Sequence, residues 1–209
     1  MSHAAFPWLT GRRISVGAAE ADCLRVNFIG ELGYELHHLV DRQCYIFDAL
    51  MRAGKEFGIK PFGIRAMMAM ALEKSYRLVG RELSIEYSAY ESGLDRFVHP
   101  NKGEFLGRDA LVKWREKGFA NRFVTLELSG ITDTDARGSE PIFHKGAMVG
   151  RCTSGGYGWR VGKSLALAMV RPDLGELGQE LDVTILGETR RARVIAESPF
   201  DPGNARLRA

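Results

Sequence analysis

The sequence predicts an α+β protein, in which a partial α/β domain precedes a small C-terminal β-barrel. Two observations carry this. Apolar residues recur at both strand and helix spacing up to about residue 103, then almost wholly at strand spacing from residue 122. Turn signals also punctuate the second stretch often enough to separate several short strands. The predicted division is therefore 1–103, a linking helix within 104–121, and a barrel over 122–209.

The first element expected is a β-hairpin. Leu24, Val26 and Phe28 alternate, as do Tyr34 and Leu36, with Gly30 to Gly33 supplying the turn. Asp41 stands where an N-cap belongs, and Cys44, Phe47, Leu50 and Met51 recur at helical spacing until Gly54 and Gly58 stop the helix. Ile64, Met67, Met68, Ala71 and Leu72 then fall at i, i+3, i+4, i+7 and i+8, an amphipathic helix whose methionines read as core packing. Residues 79–103 look irregular, and Gly107 to Lys117 form a short charged helix.

Strands are expected at 123–128, 147–152, 164–170, 181–186 and 191–195, with turns at His144–Gly146, Gly155-Gly156, Pro172-Asp173 and Gly187-Glu188. The first domain is short of material. One hairpin and two helices fall below the three strands and apolar face that let a sheet stand alone. Either the irregular stretch supplies further strands or part of a larger domain lies upstream.

Composition narrows the function classes. The 209 residues are 45% hydrophobic and 26% charged, enough for a core without disulfide or metal staples. A net charge of +3, with basic and acidic residues interspersed, lacks the concentrated basic stripe of a nucleic-acid binder. Cys23, Cys44 and Cys152 form no Cys-x-x-Cys pair and read as reduced thiols. No apolar run approaches membrane-spanning length, and the start lacks the basic and apolar regions of a signal peptide, so a cytoplasmic protein is expected. Gly30-Glu-Leu-Gly33 leads into a strand, not a helix, which removes a nucleotide-binding reading. Thr153-Ser154-Gly155 has no His and Asp set beside it in any known order and reads as a strand-end turn.

The order of several short motifs is more specific than any one of them. Arg25-Val-Asn-Phe-Ile-Gly-Glu-Leu-Gly-Tyr-Glu-Leu36 is similar to the Gly-Glu-x-Gly-aromatic-Glu hairpin of the aminomethyltransferase (glycine cleavage T protein) family. Gly63-Ile-Arg65 through Leu72-Glu-Lys74 resembles that family's Gly-x-Arg…Leu-Glu helix, although Ala69-Met70-Ala71 departs from its Leu-Arg. Gly80-Arg-Glu-Leu83, Glu91-Ser-Gly-Leu94, Phe105-Leu-Gly-Arg-Asp-Ala-Leu111, Glu140-Pro141, Val149-Gly150, Thr153–Gly158 and Pro199–Pro202 follow in the family's order. Phe6–Thr10, Tyr76-Arg77 and Gly80-Arg81 resemble the branch fused to dimethylglycine and sarcosine dehydrogenases.

The resemblance implies that the first domain is the C-terminal half of a folate-binding domain, with tetrahydrofolate as cofactor and a small amine as donor. It implies a partner as well, an upstream domain or a flavin dehydrogenase part of the same protein. The family aspartate that assists the chemistry lies upstream of the hairpin motif, so no residue here takes that role.

By the same resemblance Glu35 is a folate ligand. A carboxylate accepts two parallel hydrogen bonds from the 2-amino and N3 hydrogens of a pterin edge. Alternation alone leaves Glu35 on the solvated face of the hairpin. Arg65 matches the other folate-contacting position, in a first helical turn where a cation costs about 0.3–1 kcal/mol against the helix dipole; without the motif it is a screened surface arginine. Tyr34 stacks on the ligand or packs in the hairpin, and Arg206, near the C-terminus, is placed by the resemblance within reach of the folate tail. The expected function is one-carbon transfer from an amine such as glycine, dimethylglycine or sarcosine to tetrahydrofolate. The alternatives are a non-catalytic folate-binding or regulatory module, a domain that only docks on a dehydrogenase, and a related tetrahydrofolate-dependent demethylase.

Overall fold

A computed structural model describes residues 3–130 and 133–209, which fall into two compact units: residues up to 71 with 203–209, and residues 72–202. Residues 72–103, grouped with the first domain on sequence pattern, share a compact unit with the barrel.

In the first unit, β1 (Gly11–Val16), β2 (Ala19–Leu24) and β3 (Glu35–His37) form an antiparallel sheet in that order. Strand β1 precedes the arm expected at residues 24–28 and β2 ends at its first residue, so the missing strand material lies before the expected hairpin, and the irregular stretch 79–103 supplies no strand. The tight hairpin is β1–β2, turning at Gly17 (φ +62°), with the Ala18 N–H donating to the Tyr45 hydroxyl at 2.9 Å.

The expected hairpin of residues 24–36 is corrected in detail. The strand ends at Leu24, residues 25–34 leave the ladder, and β3 returns with Glu35 opposite Leu24. Two local forces divert the chain. The Asn27 carboxamide oxygen accepts the N–H groups of Ile29 (3.2 Å) and Gly30 (2.8 Å), an Asx turn that competes with strand pairing. Arg25 is buried, and its guanidinium donates to the carbonyls of Phe6 and Ala209, each at 2.5 Å.

Helix α1 (Gln43–Ala53) follows a 3-10 turn, and its N-cap is Arg42, so Asp41 does not cap it. Ile46 is the side chain it buries, against Ala19 and Ala21 with Val16 and Leu36. Phe47 and Leu50, read as the core stripe, are exposed. Helix α2 (Ile64–Leu72) has the predicted span, but its apolar face is graded: Ile64 exposed, Met67 and Met68 half-buried, Ala71 and Leu72 buried.

The second unit opens with irregular chain containing two 3-10 turns, then α3 (Arg108–Lys117), as expected. Six strands follow: β4 (Arg122–Leu128), β5 (Pro141–His144), β6 (Ala147–Gly158), β7 (Lys163–Val170), β8 (Glu180–Ile185) and β9 (Glu188–Ile195). They close into a barrel in the order β4-β7-β6-β5-β8-β9, all pairs antiparallel, which leaves no sheet edge.

The alternation in β7 divides by size. Ala166 and Ala168 face the barrel interior with Val124, Leu126, Ile142 and Val183, whereas Leu165, Leu167 and Met169 face outward onto Leu72 and Phe123. Small residues fit the narrow interior, and the large ones bind the irregular chain to the barrel wall. Gly155-Gly156 is no turn. Both lie inside β6, which shifts register between Cys152 and Ser154, and a side chain at Gly155 would strike the Ala136 carbonyl. No helix among the described residues is long and apolar enough to cross a membrane.

Candidate functional site

The four residues singled out by sequence all lie in the first unit. Glu35 opens β3 with its side chain about half exposed (52%), and its carboxylate lies 3.3 Å from His37 Nε2. The two side chains share one face of the strand because they are two residues apart. Arg65 occupies the first turn of α2, exposed, with no ion pair among the described residues. Tyr34 packs its ring 5.5 Å from that of buried Phe6, and its buried hydroxyl has no hydrogen-bond partner among the described residues. Arg206 pairs through Nε with Glu31 at 2.7 Å. Among the described residues, no hydrogen bond or ion pair joins the side chains of Glu35, Arg65 and Tyr34 to one another.

Sequence reasoning missed two residues that organise this surface. Glu31, the first acid of the Gly-Glu-x-Gly motif, is three-quarters buried as a side chain (25% exposed) and fixes Arg206 beside the motif loop. Arg25 ties the chain before β1 to the last residues described, through Phe6 and Ala209. A motif acid with no assigned role was the available signal for Glu31. Arg25 carried none, since both its carbonyl partners are remote in sequence.

Residues 1–102 match the family described as GCVT N-terminal domain, and residues 121–201 match the glycine cleavage T-protein C-terminal barrel domain. The chain belongs to the glycine cleavage T-protein family. It is 38% identical to human mitochondrial dimethylglycine dehydrogenase over 94% of its own length and 23% of that protein's. It is 34% identical to the 4-methylaminobutanoate oxidase (formaldehyde-forming) of Paenarthrobacter nicotinovorans, over 95% of this chain and 24% of the relative. It is 35% identical to the aminomethyltransferase of Moorella thermoacetica, over 93% and 52% respectively. The chain thus spans between about a quarter and about half of these relatives' length. The crystal structure of the glycine cleavage system aminomethyltransferase T from Bartonella henselae shares the fold, with a TM-score of 0.80 at 20% identity over 87% of this chain and 50% of that one.

In this T-protein-family chain, the motif residues of the second unit are mostly buried polar anchors. Glu73 accepts the N–H groups of Arg160 (2.6 Å) and Val161 (3.2 Å) and pairs with the Arg160 guanidinium. Lys74 donates to the carbonyls of Phe200 (3.1 Å) and Asp201 (2.6 Å). Glu82 takes the Leu78 N–H at 2.8 Å and the Ser154 hydroxyl at 2.6 Å, so Ser154 is a structural donor and the strand-end-turn reading of that segment gives way to a β6 residue in a buried bond. Burial pushes the Cys152 thiol pKa up, which keeps it protonated and unreactive.

Glu91 shows the sign of such a network. Burial alone would raise its carboxyl, but the Ser88 N–H and hydroxyl (3.0 Å each) and the Asn121 N–H (3.0 Å) and side-chain amide (3.2 Å) favour the charged form and hold it below its ordinary 4.5. A lowered folded-state value gives stability that is fully present above 4.5 and is lost as pH falls from there through the folded value. The stability gap between the wild-type chain and Glu91→Gln is therefore expected to be constant at neutral pH and to narrow below pH 4.5, followed by thermal melting. A gap independent of pH would show that the four donors do not favour the anion.

Proposed function

We propose that this chain is the folate-binding part of a tetrahydrofolate-dependent aminomethyltransferase-type unit, which moves a one-carbon group from an amine donor such as glycine, dimethylglycine or sarcosine onto tetrahydrofolate. The observation that carries the proposal is the state of the two motif charges. Glu35 and Arg65 match the family's folate positions by motif; both are exposed, and among the described residues neither is spent on an ion pair with a permanently charged group.

The chemistry of this donor set fits a reduced pterin. An accessible carboxylate matches two adjacent N–H donors on one edge, and a free guanidinium matches a carbonyl or carboxylate acceptor. Tetrahydrofolate, when bound, supplies a nucleophilic N5 that accepts the one-carbon group. Glu35 orients the ring by its edge, and Arg65 adds a second fixed point. The protein's contribution is largely positioning, which converts an encounter of two solutes into a reaction between held partners.

The same reading assigns further polypeptide to the first unit. Leu39, Val40, Phe57, Phe62 and Ile64 are all exposed there, apolar surface that a covering domain would bury. A dehydrogenase part or an upstream domain of the same protein is the proposed cover, in keeping with the greater length of the relatives.

The test is formation of methylene-tetrahydrofolate by the full-length polypeptide that contains this chain, offered glycine, dimethylglycine and sarcosine in turn with a two-electron acceptor, because the donor carbon must be oxidised to the formaldehyde level before it bridges N5 and N10. Turnover with one of them is expected. Binding of tetrahydrofolate without turnover on any donor would replace the transferase reading with a non-catalytic folate module.

A further inference from the structure

The barrel's unit carries a second candidate site, independent of the folate reading. A cleft of about 350 Å³ opens beside β6, and its wall includes Arg81, Glu86, Arg137, Ser139, Arg151 and Thr153. Three arginines line it, and the nearby carboxylates already hold an ion pair or hydrogen bonds. Glu86 pairs with Arg151, which also donates to the Tyr87 hydroxyl at 2.8 Å. Glu140 accepts the backbone N–H groups of Arg137 and Gly138, each at 2.8 Å. Glu82 is fully buried and holds Leu78 and Ser154.

Two guanidinium groups are left with unused donors. Arg81 uses only Nη1, on the carbonyls of Arg137 (3.3 Å) and Thr153 (3.5 Å) and the Ser154 hydroxyl (3.3 Å). The Arg137 side chain has no hydrogen bond or ion pair among the described residues. The segment that carries it is held in place: Gly138 (φ +129°) and Ser139 (φ +75°) lie in the left-handed half of backbone space, and a side chain at Gly138 would meet the Thr153 carbonyl oxygen at 2.7 Å. Strained backbone beside a polar cleft is common at ligand sites.

We propose that this cleft binds a small dianionic oxyanion, either a free phosphate group or a short dicarboxylate, gripped by the unused donors of Arg81 and Arg137. The planar guanidinium fork matches both, because each presents paired oxygens.

Isothermal titration of sodium phosphate, and separately of sodium succinate, into the full chain at fixed ionic strength tests this. Saturable binding of at least one dianion is expected, weakened about tenfold or more by Arg137→Gln, a loss of roughly 1.4 kcal/mol or more. The same charge change in Arg115→Gln, on the exposed face of α3, is expected to leave it unchanged. Preference for phosphate over succinate, or the reverse, supports the site and identifies its source. Absence of saturable binding by either anion, or equal weakening by both substitutions, overturns it. The Arg137 side chain has no partner to lose among the described residues, so its variant should melt with the wild type.

Discussion

Glu73→Ala is expected to destabilise the barrel's unit by about 3–5 kcal/mol, because it leaves a guanidinium and two backbone N–H groups without the carboxylate that now satisfies them. Glu73 is 1% exposed, and its oxygens take the Arg160 and Val161 amides and the Arg160 side chain. Arg160 also lies 3.8 Å above the Phe200 ring, and the Phe200 N–H donates to the Glu73 carbonyl at 3.1 Å. The Glu73 side chain therefore secures the β6–β7 connection, and its backbone carbonyl holds the segment after β9. A domain of this size has only about 5–15 kcal/mol in hand, so the loss is a large share of the total. Glu73→Gln keeps one acceptor and most of the shape, and should lose less. Urea unfolding followed by tryptophan fluorescence measures both; a loss under about 1 kcal/mol for the alanine variant would mean that Glu73 is not an anchor.

Leu126→Ala is expected to cost about 2–5 kcal/mol, the range for truncating a large aliphatic side chain inside a core that cannot collapse around the gap. Leu126 is 0% exposed, on the strand that pairs with both β7 and β9. The barrel is closed, so its wall cannot move inward without breaking one of those ladders. Its neighbour supplies the control. Glu127 points outward to Lys163 at 2.7 Å with both side chains partly solvated, and Glu127→Ala should cost under about 1 kcal/mol. Equal losses at the two positions would contradict the assignment of Leu126 to the interior.

The barrel was readable where alternation was carried by large side chains. Phe123–Leu128, Ser164–Val170 and Leu181–Leu186 coincide closely with β4, β7 and β8. It failed where glycine or length obscured the pattern. Gly155-Gly156 reads as a turn, yet those residues continue β6 because only a missing Cβ lets the strand press against Ala136. Strand β5 is four residues long and begins with Pro141, too little to alternate. In the first unit the pattern of β2 was present but carried by small residues: Ala19, Ala21 and Cys23 are buried, with exposed Glu20 and Asp22 between them. The stripe on α1 shows the opposite error. Helical periodicity marked Phe47 and Leu50 as apolar, but this chain's own sheet covers only Ile46.

Motif order singled out individual residues of the candidate site. Its setting was not legible. The Arg206–Glu31 pair joins positions 175 apart, and the diversion of residues 25–34 depends on an arginine buried against carbonyls that no local pattern announces. Long-range hydrogen bonds of this kind leave no periodic trace in the sequence.

Titration of tetrahydrofolate onto the full-length polypeptide, compared with its Glu35→Gln variant, tests the central claim most directly. The account predicts micromolar-or-tighter binding by the parent and a loss of about tenfold to a hundredfold in the variant, the weight of a charge-assisted hydrogen-bond pair, with melting unchanged because Glu35 is exposed. Equal affinity in the two proteins, both fully folded, would contradict it.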